Sequence, residues 1–341
     1  IDEKDDANKE LVCHVLNHGV LGSRKGVNAP GVSINLPGIT EKDSSDIRFG
    51  LENKINYIAA SFVRKAQDVL DIRELLKEKN MEDVQIFPKI ESQEGIDNFE
   101  EIIAVSDGLM VPRGDMGVEI PAQNVPIVQK HMIKRCNELG KPVITATQML
   151  DSMQENPRPT RAEVSDVANA VFDGTDATML SGESANGDYP VESVAMMNDI
   201  DIKAENHLWE FGTEKFDWDK SDVTETIGSA VANAAKDLDI HTIVAYTASG
   251  YTAKMISKYR PNADIVALTP NERVERGLMI NWGVQPYVVD EMKNTDTMFD
   301  LAAKKAVELG FAKKGDKIII VAGVPLGVPG ATNMMRVKTI D

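Results

Sequence analysis

Five short apolar runs recur between residues 40 and 205, and each is followed by a longer stretch with the period of an amphipathic helix. The runs cover residues 55–62, 84–88, 108–111, 142–146 and 177–180. Their starts lie about 24 to 35 residues apart, which is close to the length of one strand-plus-helix unit. Alternation of this kind is typical of parallel strands covered by helices, so it predicts an α/β fold.

Polar residues with catalytic potential follow each of the five runs. They are Ser61, then Lys89 and Glu91, then Arg113 and Asp115, then Thr147 and Gln148, and finally Ser181 and Glu183. Parallel barrels place their chemistry at the carboxyl ends of the strands, so five such ends in a row favour a TIM (β/α)8 barrel over an open, doubly wound sheet. Because a closed barrel has eight strands, we expect these to be its last five, with three more upstream in a longer polypeptide.

The regions on either side of the five runs have patterns of their own. Residues 10–16 alternate apolar and polar side chains ahead of a glycine-rich segment at 19–26, which predicts short antiparallel strands. From about His207 a second alternation predicts a separate C-terminal α/β domain. Its predicted strands are 242–248, 264–269, 285–289 and 317–324, and its predicted helices are 224–238, 252–260, 271–282 and 295–309.

Composition argues against several classes of partner. The formal net charge is −17 and no block is rich in lysine and arginine, which argues against nucleic acid. The longest apolar stretch, residues 318–324, is far shorter than the ~20 residues of a membrane helix. Cys13 and Cys136 lack the spacing of a disulfide framework or a metal site, and we expect two buried thiols. The sequence therefore predicts a cytoplasmic protein that binds neither nucleic acid nor a membrane.

Lys89 and Glu91 are two residues apart at the end of the second run, so both side chains are expected on one face of the strand. An ammonium group suits a phosphoryl group in transfer, and a carboxylate is a hard oxygen ligand for Mg²⁺. A structural ion pair at a strand end is the alternative interpretation.

Asp115 and Thr147 follow the next two runs and add to this pair. Asp115 offers a second carboxylate for Mg²⁺, and Gly114 lets backbone N–H groups approach an anion closely. The Thr147 hydroxyl can orient a substrate carboxylate or relay a proton, although capping a helix is the commoner use of such a group. Together these strand ends indicate a Mg²⁺-dependent reaction of a small phosphorylated or carboxylated anion.

In the C-terminal domain, Thr247, Ser249, Gly250 and Thr252 lie where a predicted strand passes into a helix. Hydroxyl groups next to the unpaired N–H groups of a helix start can bind phosphate. The segment therefore predicts a phosphate-binding loop, with an ordinary Ser/Thr helix cap as the alternative.

Seven motifs along the chain resemble those of the pyruvate kinase family. In order they are residues 22–28 (GSRKGVN), 60–65 (ASFVRK), 88–92 (PKIES), 113–121 (RGDMGVEIP), 146–152 (ATQMLDS), 157–163 (PRPTRAE) and 179–183 (MLSGE). The resemblance covers essentially the whole chain. It implies transfer of the phosphoryl group of phosphoenolpyruvate to ADP, giving pyruvate and ATP, which is the last step of glycolysis. A Mg²⁺-dependent lyase or aldolase, and an inactive fragment or oligomerisation or regulatory module, are the alternatives.

The resemblance also assigns roles to residues of this chain. Lys89 matches the family's catalytic lysine, and Glu91 and Asp115 match its ligands for Mg²⁺ or Mn²⁺. The substrate carboxylate is expected at the backbone of Gly114 and Asp115 and at the hydroxyl of Thr147. Thr147 is also our candidate for relaying a proton, through water, to the enolate left after transfer.

The family architecture implies three domains. Residues 1–28 are expected to be the tail of an inserted β-barrel lid domain, 29–203 the C-terminal part of the barrel, and 204–341 a three-layer α/β regulatory domain. Lys25 matches a lysine associated with nucleotide phosphates, and a sugar-phosphate effector is expected at the loop 247–252. The resemblance further implies a K⁺ requirement, with ligands outside this chain, and a homotetramer.

Overall fold

The computed structural model describes residues 1–23, 26–32, 37–211, 221–292, 294–327 and 330–341. At the start of the chain, β1 (Glu3–Asp5) and β2 (Glu10–Val12) pair as a short antiparallel hairpin, which confirms the predicted antiparallel strands. Both strands are largely exposed. The expectation of two buried thiols is half wrong, because Cys13 lies just after this exposed hairpin whereas Cys136 is buried.

The five predicted apolar runs form five parallel strands, each next to its successor. They are β3 (Tyr57–Ala60), β4 (Gln85–Pro88), β5 (Leu109–Pro112), β6 (Val143–Ala146) and β7 (Ala177–Met179). Strand β3 pairs with β4, strand β5 pairs with β6, and β6 pairs with β7. A single parallel bridge between Lys89 and Met110 joins the two groups. All five carboxyl ends therefore lie along the same edge.

Helices connect these strands, as the alternation predicts. They are α1 (Glu41–Glu52), α2 (Ala66–Glu78), α3 (Gln93–Asp97), α4 (Phe99–Ala104), α5 (Arg113–Glu119), α6 (Val125–Leu139), α7 (Arg161–Asp173), α8 (Gly182–Ala185) and α9 (Pro190–Glu205), with 3₁₀ turns at Ala122–Asn124 and Asp151–Gln154. Local chemistry sets several boundaries. The Thr160 hydroxyl accepts a hydrogen bond from the Glu163 N–H, and the Glu163 carboxylate accepts one from the Thr160 N–H, so a capping box starts α7. Gly174 ends the same helix in a left-handed conformation (φ 97°) that glycine adopts without strain.

One apolar core holds the strands of this segment to their helices. Ile86, Leu109, Val111 and Val143 contribute from the strands and are fully buried. The helices α2, α4 and α6 contribute Ile72, Leu76, Ile102, Ile103, Met132 and Ile133. This packing holds the carboxyl edge of the sheet in place.

The C-terminal region forms a second sheet with strand order β10-β9-β8-β11-β12. Its elements are α10 (Leu208–Phe211), α11 (Val223–Asp237), β8 (Thr242–Tyr246), α12 (Tyr251–Ser257), β9 (Asp264–Thr269), α13 (Glu272–Leu278), β10 (Val284–Val288), α14 (Thr295–Glu308), β11 (Lys317–Ala322) and β12 (Met334–Thr339). Strands β8 to β11 are parallel, and β12 runs antiparallel to β11. Apolar side chains of α11, α12 and α13 cover one face of this sheet and those of α14 cover the other, so the predicted α/β organisation is confirmed.

Strand β12 is absent from the sequence predictions. Its residues are partly or fully exposed at the edge of the sheet, and charged Arg336 and Lys338 interrupt its apolar pattern. Among the described residues, no helix is long and apolar enough to cross a membrane.

Buried polar contacts join the C-terminal region to the strands of the first sheet. Arg260 donates to the Asp176 carboxylate over 2.9 Å and to the Gly174 carbonyl over 2.7 Å. The Trp282 N–H donates to the same Asp176 carboxylate over 3.1 Å. Only 8% of the Arg260 side chain and 5% of the Asp176 side chain are exposed, so this ion pair is effectively closed to water.

A second set of contacts reaches the starts of β3 and β4. The Tyr57 hydroxyl donates to the Arg276 carbonyl over 2.9 Å, and the Gln85 amide donates to the Gly277 carbonyl over 2.7 Å. Gln85 also accepts a hydrogen bond from Lys254 over 3.2 Å. The two strands that carry Ser61 and Lys89 at their carboxyl ends are therefore attached at their amino ends to the C-terminal domain.

Candidate active site

Lys89 lies directly after β4, beside the end of β3. Its N–H donates to the Ala60 carbonyl over 2.7 Å, which continues the pairing of the two strands by one residue. Its ammonium group donates to the Ser61 hydroxyl over 3.0 Å and lies 2.7 Å from Oε1 of Glu91. The two side chains expected on one face of the strand thus form an ion pair, as the alternative interpretation also expects, and the Ser61 hydroxyl contacts the same ammonium group.

Glu91 is fully buried, and its two carboxylate oxygens have different surroundings. Oε2 accepts a hydrogen bond from the Phe62 N–H over 2.5 Å. Oε1 has the Lys89 ammonium as its partner and accepts no other hydrogen bond from the part of the chain described here. Burial raises the pKa of Glu91, and the nearby Asp115 charge adds to the rise, although hydrogen bonds from Lys89 and Phe62 oppose it.

Asp115 lies in the first turn of α5, where its side chain is exposed, and its charge acts on Glu91. Two carboxylates close enough to repel each other favour a cation between them. Mg²⁺ and Mn²⁺ prefer such hard oxygen ligands, and Mg²⁺ is commonly held by only one or two protein carboxylates. No cluster of three or more His, Cys, Asp or Glu ligands occurs among the described residues, so a cation here would depend on this pair and on substrate or water oxygens.

Gly114 and Thr147 meet between the ends of β5 and β6. A Cβ atom at Gly114 would lie 2.6 Å from Cγ2 of Thr147, which is closer than real Cβ contacts allow. Glycine at position 114 is therefore required if the Thr147 side chain is to lie directly over this backbone. Thr147 itself has a φ of 75°, in the left-handed region that threonine rarely adopts.

The sequence identifies two further residues near this site only as polar residues at strand ends. Ser61 contacts the Lys89 ammonium, and Arg113 contacts the carbonyl groups around Thr147. Their place next to the five apolar runs was the signal for both. What the sequence cannot supply is the pairing across strands that gives each of them a specific partner.

Glu183, another predicted strand-end residue, is buried and already fully engaged by backbone groups. Its carboxylate accepts hydrogen bonds from the Leu150 N–H over 3.1 Å and from the Ser181 N–H over 2.8 Å. These bonds tie the end of β7 to the segment after β6.

A cleft of about 670 Å³ lies beside Ser61 and is bordered by Asn28, Ser92 and Glu119. Lys25, predicted near nucleotide phosphates, falls outside the described residues.

The four predicted phosphate-loop residues follow β8, and three of them, Thr247, Ser249 and Thr252, line a small cavity together with Gly323 and Ala331. The Thr247 hydroxyl accepts a hydrogen bond from the Gly250 N–H over 3.0 Å, and the Thr252 hydroxyl bonds to that of Thr332 over 2.9 Å. Thr247 and Thr252 are buried, whereas Ser249 is exposed. Gly250 adopts a left-handed conformation with a φ of 86°.

Comparison with known proteins gives consistent matches along both regions. Residues 1–194 match the barrel domain of pyruvate kinase, and residues 225–338 match the pyruvate kinase alpha/beta domain. The pyruvate kinase of Lactobacillus delbrueckii subsp. bulgaricus is 65% identical over 100% of this chain, which spans 58% of that protein. The pyruvate kinase of Clostridium acetobutylicum is 53% identical over 97% of the chain and 70% of its own length. That of Staphylococcus aureus (strain MRSA252) is 56% identical, with 58% of its length covered.

Proposed function

The chain belongs to the pyruvate kinase family, and on that premise we propose that it carries the phosphoryl-transfer site of an enzyme that makes pyruvate and ATP from phosphoenolpyruvate and ADP. The observation that carries the proposal is the Lys89 ammonium, held between the Ser61 hydroxyl and the buried Glu91 carboxylate. An ammonium group beside a buried carboxylate, with the Asp115 charge acting on that carboxylate, suits a phosphoryl group in transfer.

The reaction has two stages. The bond between phosphorus and the enol oxygen of phosphoenolpyruvate breaks as a bond forms between phosphorus and a β-phosphate oxygen of ADP. The electron pair of the broken bond stays on the substrate oxygen, and the enolate then takes a proton at its methylene carbon to become pyruvate. Lys89 stabilises the first stage because its charge lies beside the phosphoryl oxygens while negative charge is redistributed over them.

Glu91 and Asp115 are the residues that would hold Mg²⁺ or Mn²⁺. The fit rests on Oε1 of Glu91, a buried oxygen that accepts no hydrogen bond other than from the Lys89 ammonium, and on the exposed Asp115 carboxylate nearby. A divalent ion supplies charge neutralisation and orients substrate oxygens when bound. A K⁺ requirement is proposed from family membership alone.

We propose that the backbone of Gly114 and Asp115, together with the Thr147 hydroxyl, binds the substrate carboxylate. The first N–H groups of α5 have no partner within the helix, so they can donate to an anion. Thr147 lies directly over Gly114 and can both hold the carboxylate and pass a proton through water to the enolate.

Domain organisation follows from the same premise. The parallel strands β3 to β7 would be the last five of a (β/α)8 barrel spanning residues 29–203, residues 1–28 the tail of a lid domain, and residues 204–341 the regulatory domain. Lys25 would contact nucleotide phosphates. The proposed assembly is a homotetramer, and the proposed compartment is the cytoplasm. The chain spans 58% of the Lactobacillus relative.

Assaying the full polypeptide, as it is naturally expressed, for pyruvate formation tests the function. We expect equal amounts of pyruvate and ATP, with no turnover when ADP is omitted or the divalent metal is chelated. Consumption of phosphoenolpyruvate without ATP formation would instead indicate a lyase or aldolase and would reject the proposal.

The loop after β8 is proposed to bind the phosphate of a sugar-phosphate effector. The exposed Ser249 hydroxyl and the cavity beside it support this assignment. Titration calorimetry with fructose 1,6-bisphosphate and with inorganic phosphate would check it. We expect saturable binding that Ser249→Asp weakens at least tenfold, because the new carboxylate repels the phosphate. Absence of binding would leave these hydroxyls as helix caps.

A further inference from the structure

Two consecutive residues next to the candidate site, Thr147 and Gln148, have left-handed backbones. Their φ angles are 75° and 54°, and neither residue is a glycine. Such conformations are costly for a β-branched residue and persist only where the surrounding structure holds them. The question is therefore which group holds this segment.

The guanidinium of Arg113 contacts the carbonyl groups of this segment. Its Nη2 donates to the Thr147 carbonyl over 2.8 Å and to the Gln148 carbonyl over 3.2 Å. Its Nε also donates to the Thr147 carbonyl over 3.2 Å and lies 3.4 Å from the Ala146 carbonyl. Three successive carbonyl groups thus converge on one side chain, which draws the backbone into a tight bend around it.

Asp166 on α7 fixes the guanidinium from the opposite side. Its carboxylate lies 2.6 Å from Nη1 of Arg113, and only 11% of the Arg113 side chain is exposed. The planar guanidinium group therefore donates from both of its edges, to the Asp166 carboxylate through Nη1 and to backbone carbonyl groups through Nε and Nη2. A lysine could not make this set of contacts, because its single ammonium cannot donate along two edges.

We propose that Arg113 is a positioning residue for Thr147 in the phosphoryl-transfer site. By holding the carbonyl groups of Thr147 and Gln148, it keeps the backbone left-handed and the Thr147 side chain over Gly114. This inference rests on the proposed function, because Thr147 acts on substrate only if that function holds. It adds a residue that itself touches neither the phosphoryl group nor the metal ligands Glu91 and Asp115.

The kinetic test compares Arg113→Lys and Arg113→Ala with the parent in the full polypeptide. We expect kcat for pyruvate formation to fall about 10²-fold, the usual consequence of a displacement near 1 Å. The exchange of pyruvate methyl protons with deuterated water should fall in parallel, because Thr147 serves that step. KM for ADP should change less than twofold. Guanidinium ion in the tens of millimolar range should restore several-fold activity to Arg113→Ala.

Matched variants separate positioning from general damage. Arg135→Lys changes a partly exposed arginine on α6 that pairs with Glu100 and Glu138, and it should leave every parameter unchanged. Asp166→Asn keeps Arg113 but loosens its anchor, so its loss should be smaller, about tenfold or less. Parent-like proton exchange in Arg113→Lys, or no rescue of Arg113→Ala by guanidinium, would overturn the inference.

A crystal structure of Arg113→Lys gives a readout that does not depend on catalysis. A relaxed, negative φ at Thr147 would show that Arg113 holds this backbone, even if the parent made no pyruvate and the proposed function, with the catalytic role drawn from it, were rejected. A φ still near 75° in the variant would overturn the inference, whatever the activity of the parent.

Discussion

The two sheets of this molecule have similar parallel strands but differ in what lies at their carboxyl ends. After β3 and β6, the left-handed positions are Phe62, Thr147 and Gln148, none of which is a glycine, and a buried carboxylate lies close by. After β8, the left-handed position is Gly250, which adopts it without strain, and the neighbouring Thr247 hydroxyl accepts the Gly250 N–H.

Buried charge in the C-terminal domain has a different location. Lys258 forms an ion pair with Glu225 in the first turn of α11. Arg260 forms an ion pair with Asp176, just before β7 in the first sheet. The first pair joins α11 to the end of α12 within this domain, and the second joins the domain to the first sheet, whereas the charges around Lys89 are proposed to serve a substrate. The contrast therefore concerns the strand ends: non-glycine residues are left-handed after β3 and β6, and a glycine is left-handed after β8. Elsewhere in the C-terminal domain, Asp239 and Arg260 are also left-handed, and Nε of Arg260 is buried without a hydrogen-bond partner among the described residues.

The largest expected effect is a loss of activity on the proposed catalytic side of this comparison. Lys89→Met removes the cation at the end of β4, and we expect kcat to fall by about 10³-fold or more because the phosphoryl charge loses its partner. Steady-state assays of the full polypeptide measure this. Lys42→Met, at an exposed lysine of α1 paired with Asp46, is the matched control and should behave as the parent. Comparable losses in both variants would contradict a specific role for Lys89.

The next effect concerns stability across the two regions. Arg260→Met leaves the Asp176 carboxylate buried without its ionic partner, which should lower the free energy of unfolding by about 3–5 kcal/mol. Urea titration followed by fluorescence of the tryptophans measures it. Arg336→Met removes only an exposed contact with the Phe299 ring and should cost about 1 kcal/mol or less. Equal costs would show that the buried pair contributes no more than a surface contact.

Ser61→Ala sharpens the comparison within the catalytic edge. Loss of one hydrogen bond to the Lys89 ammonium should lower kcat/KM for phosphoenolpyruvate by about 3- to 10-fold, because water can partly replace the exposed hydroxyl. Ser61→Thr retains the hydroxyl and should recover most of the loss. If both variants behave alike, the hydroxyl does not orient Lys89.

The smallest effect is a pair of stability changes with opposite signs. Burial raises the pKa of Glu91, so between its ordinary and its raised value the folded state holds the extra proton and stability falls as the pH rises. At pH values above the raised pKa, the free-energy cost of burying the charged Glu91 carboxylate is fully present. Glu91→Gln should therefore raise Tm at pH 8 without Mg²⁺, on the order of 1–3 °C, and should have no such effect at a pH below the ordinary value.

Glu225→Gln is the matched change in the C-terminal domain and should lower Tm, because it breaks a pair whose lysine side chain is 1% exposed. Thermal melts of both variants at pH 8 measure the contrast. A lower Tm for Glu91→Gln would mean that its ion pair with Lys89 outweighs the cost of burial. Loss of Mg²⁺-dependent activity is expected for Glu91→Gln in either case.

Much of this architecture follows from periodicity in the sequence. The apolar runs predicted β3 to β7 and β8 to β11. The two-residue spacing of Lys89 and Glu91 predicted that both side chains lie on one face of the strand, where they form an ion pair. Strand β12 was missed because an exposed edge strand carries charged residues and lacks the apolar run that marks a buried strand.

Other features could not be predicted because they depend on residues that are distant in sequence. A threonine followed by a glutamine gives no indication of a left-handed backbone. The cause is Arg113, which lies at least 33 positions earlier in the sequence than the carbonyl groups that it contacts. Arg260 and Asp176 are 84 positions apart, and each is an ordinary surface residue type until the fold brings them together. Local patterns predict elements, whereas strain and buried charge arise from tertiary packing.

The close approach of Gly114 and Thr147 limits the order in which these two positions can change. Any side chain at 114 collides first with the Thr147 methyl group, at 2.6 Å, while the hydroxyl oxygen is 3.9 Å away. Thr147→Ser removes the colliding atom and keeps the oxygen, so Gly114→Ala should be tolerated after that change and damaging before it. The two substitutions are thus expected to be strongly non-additive, and the route that changes Thr147 first is the less damaging one.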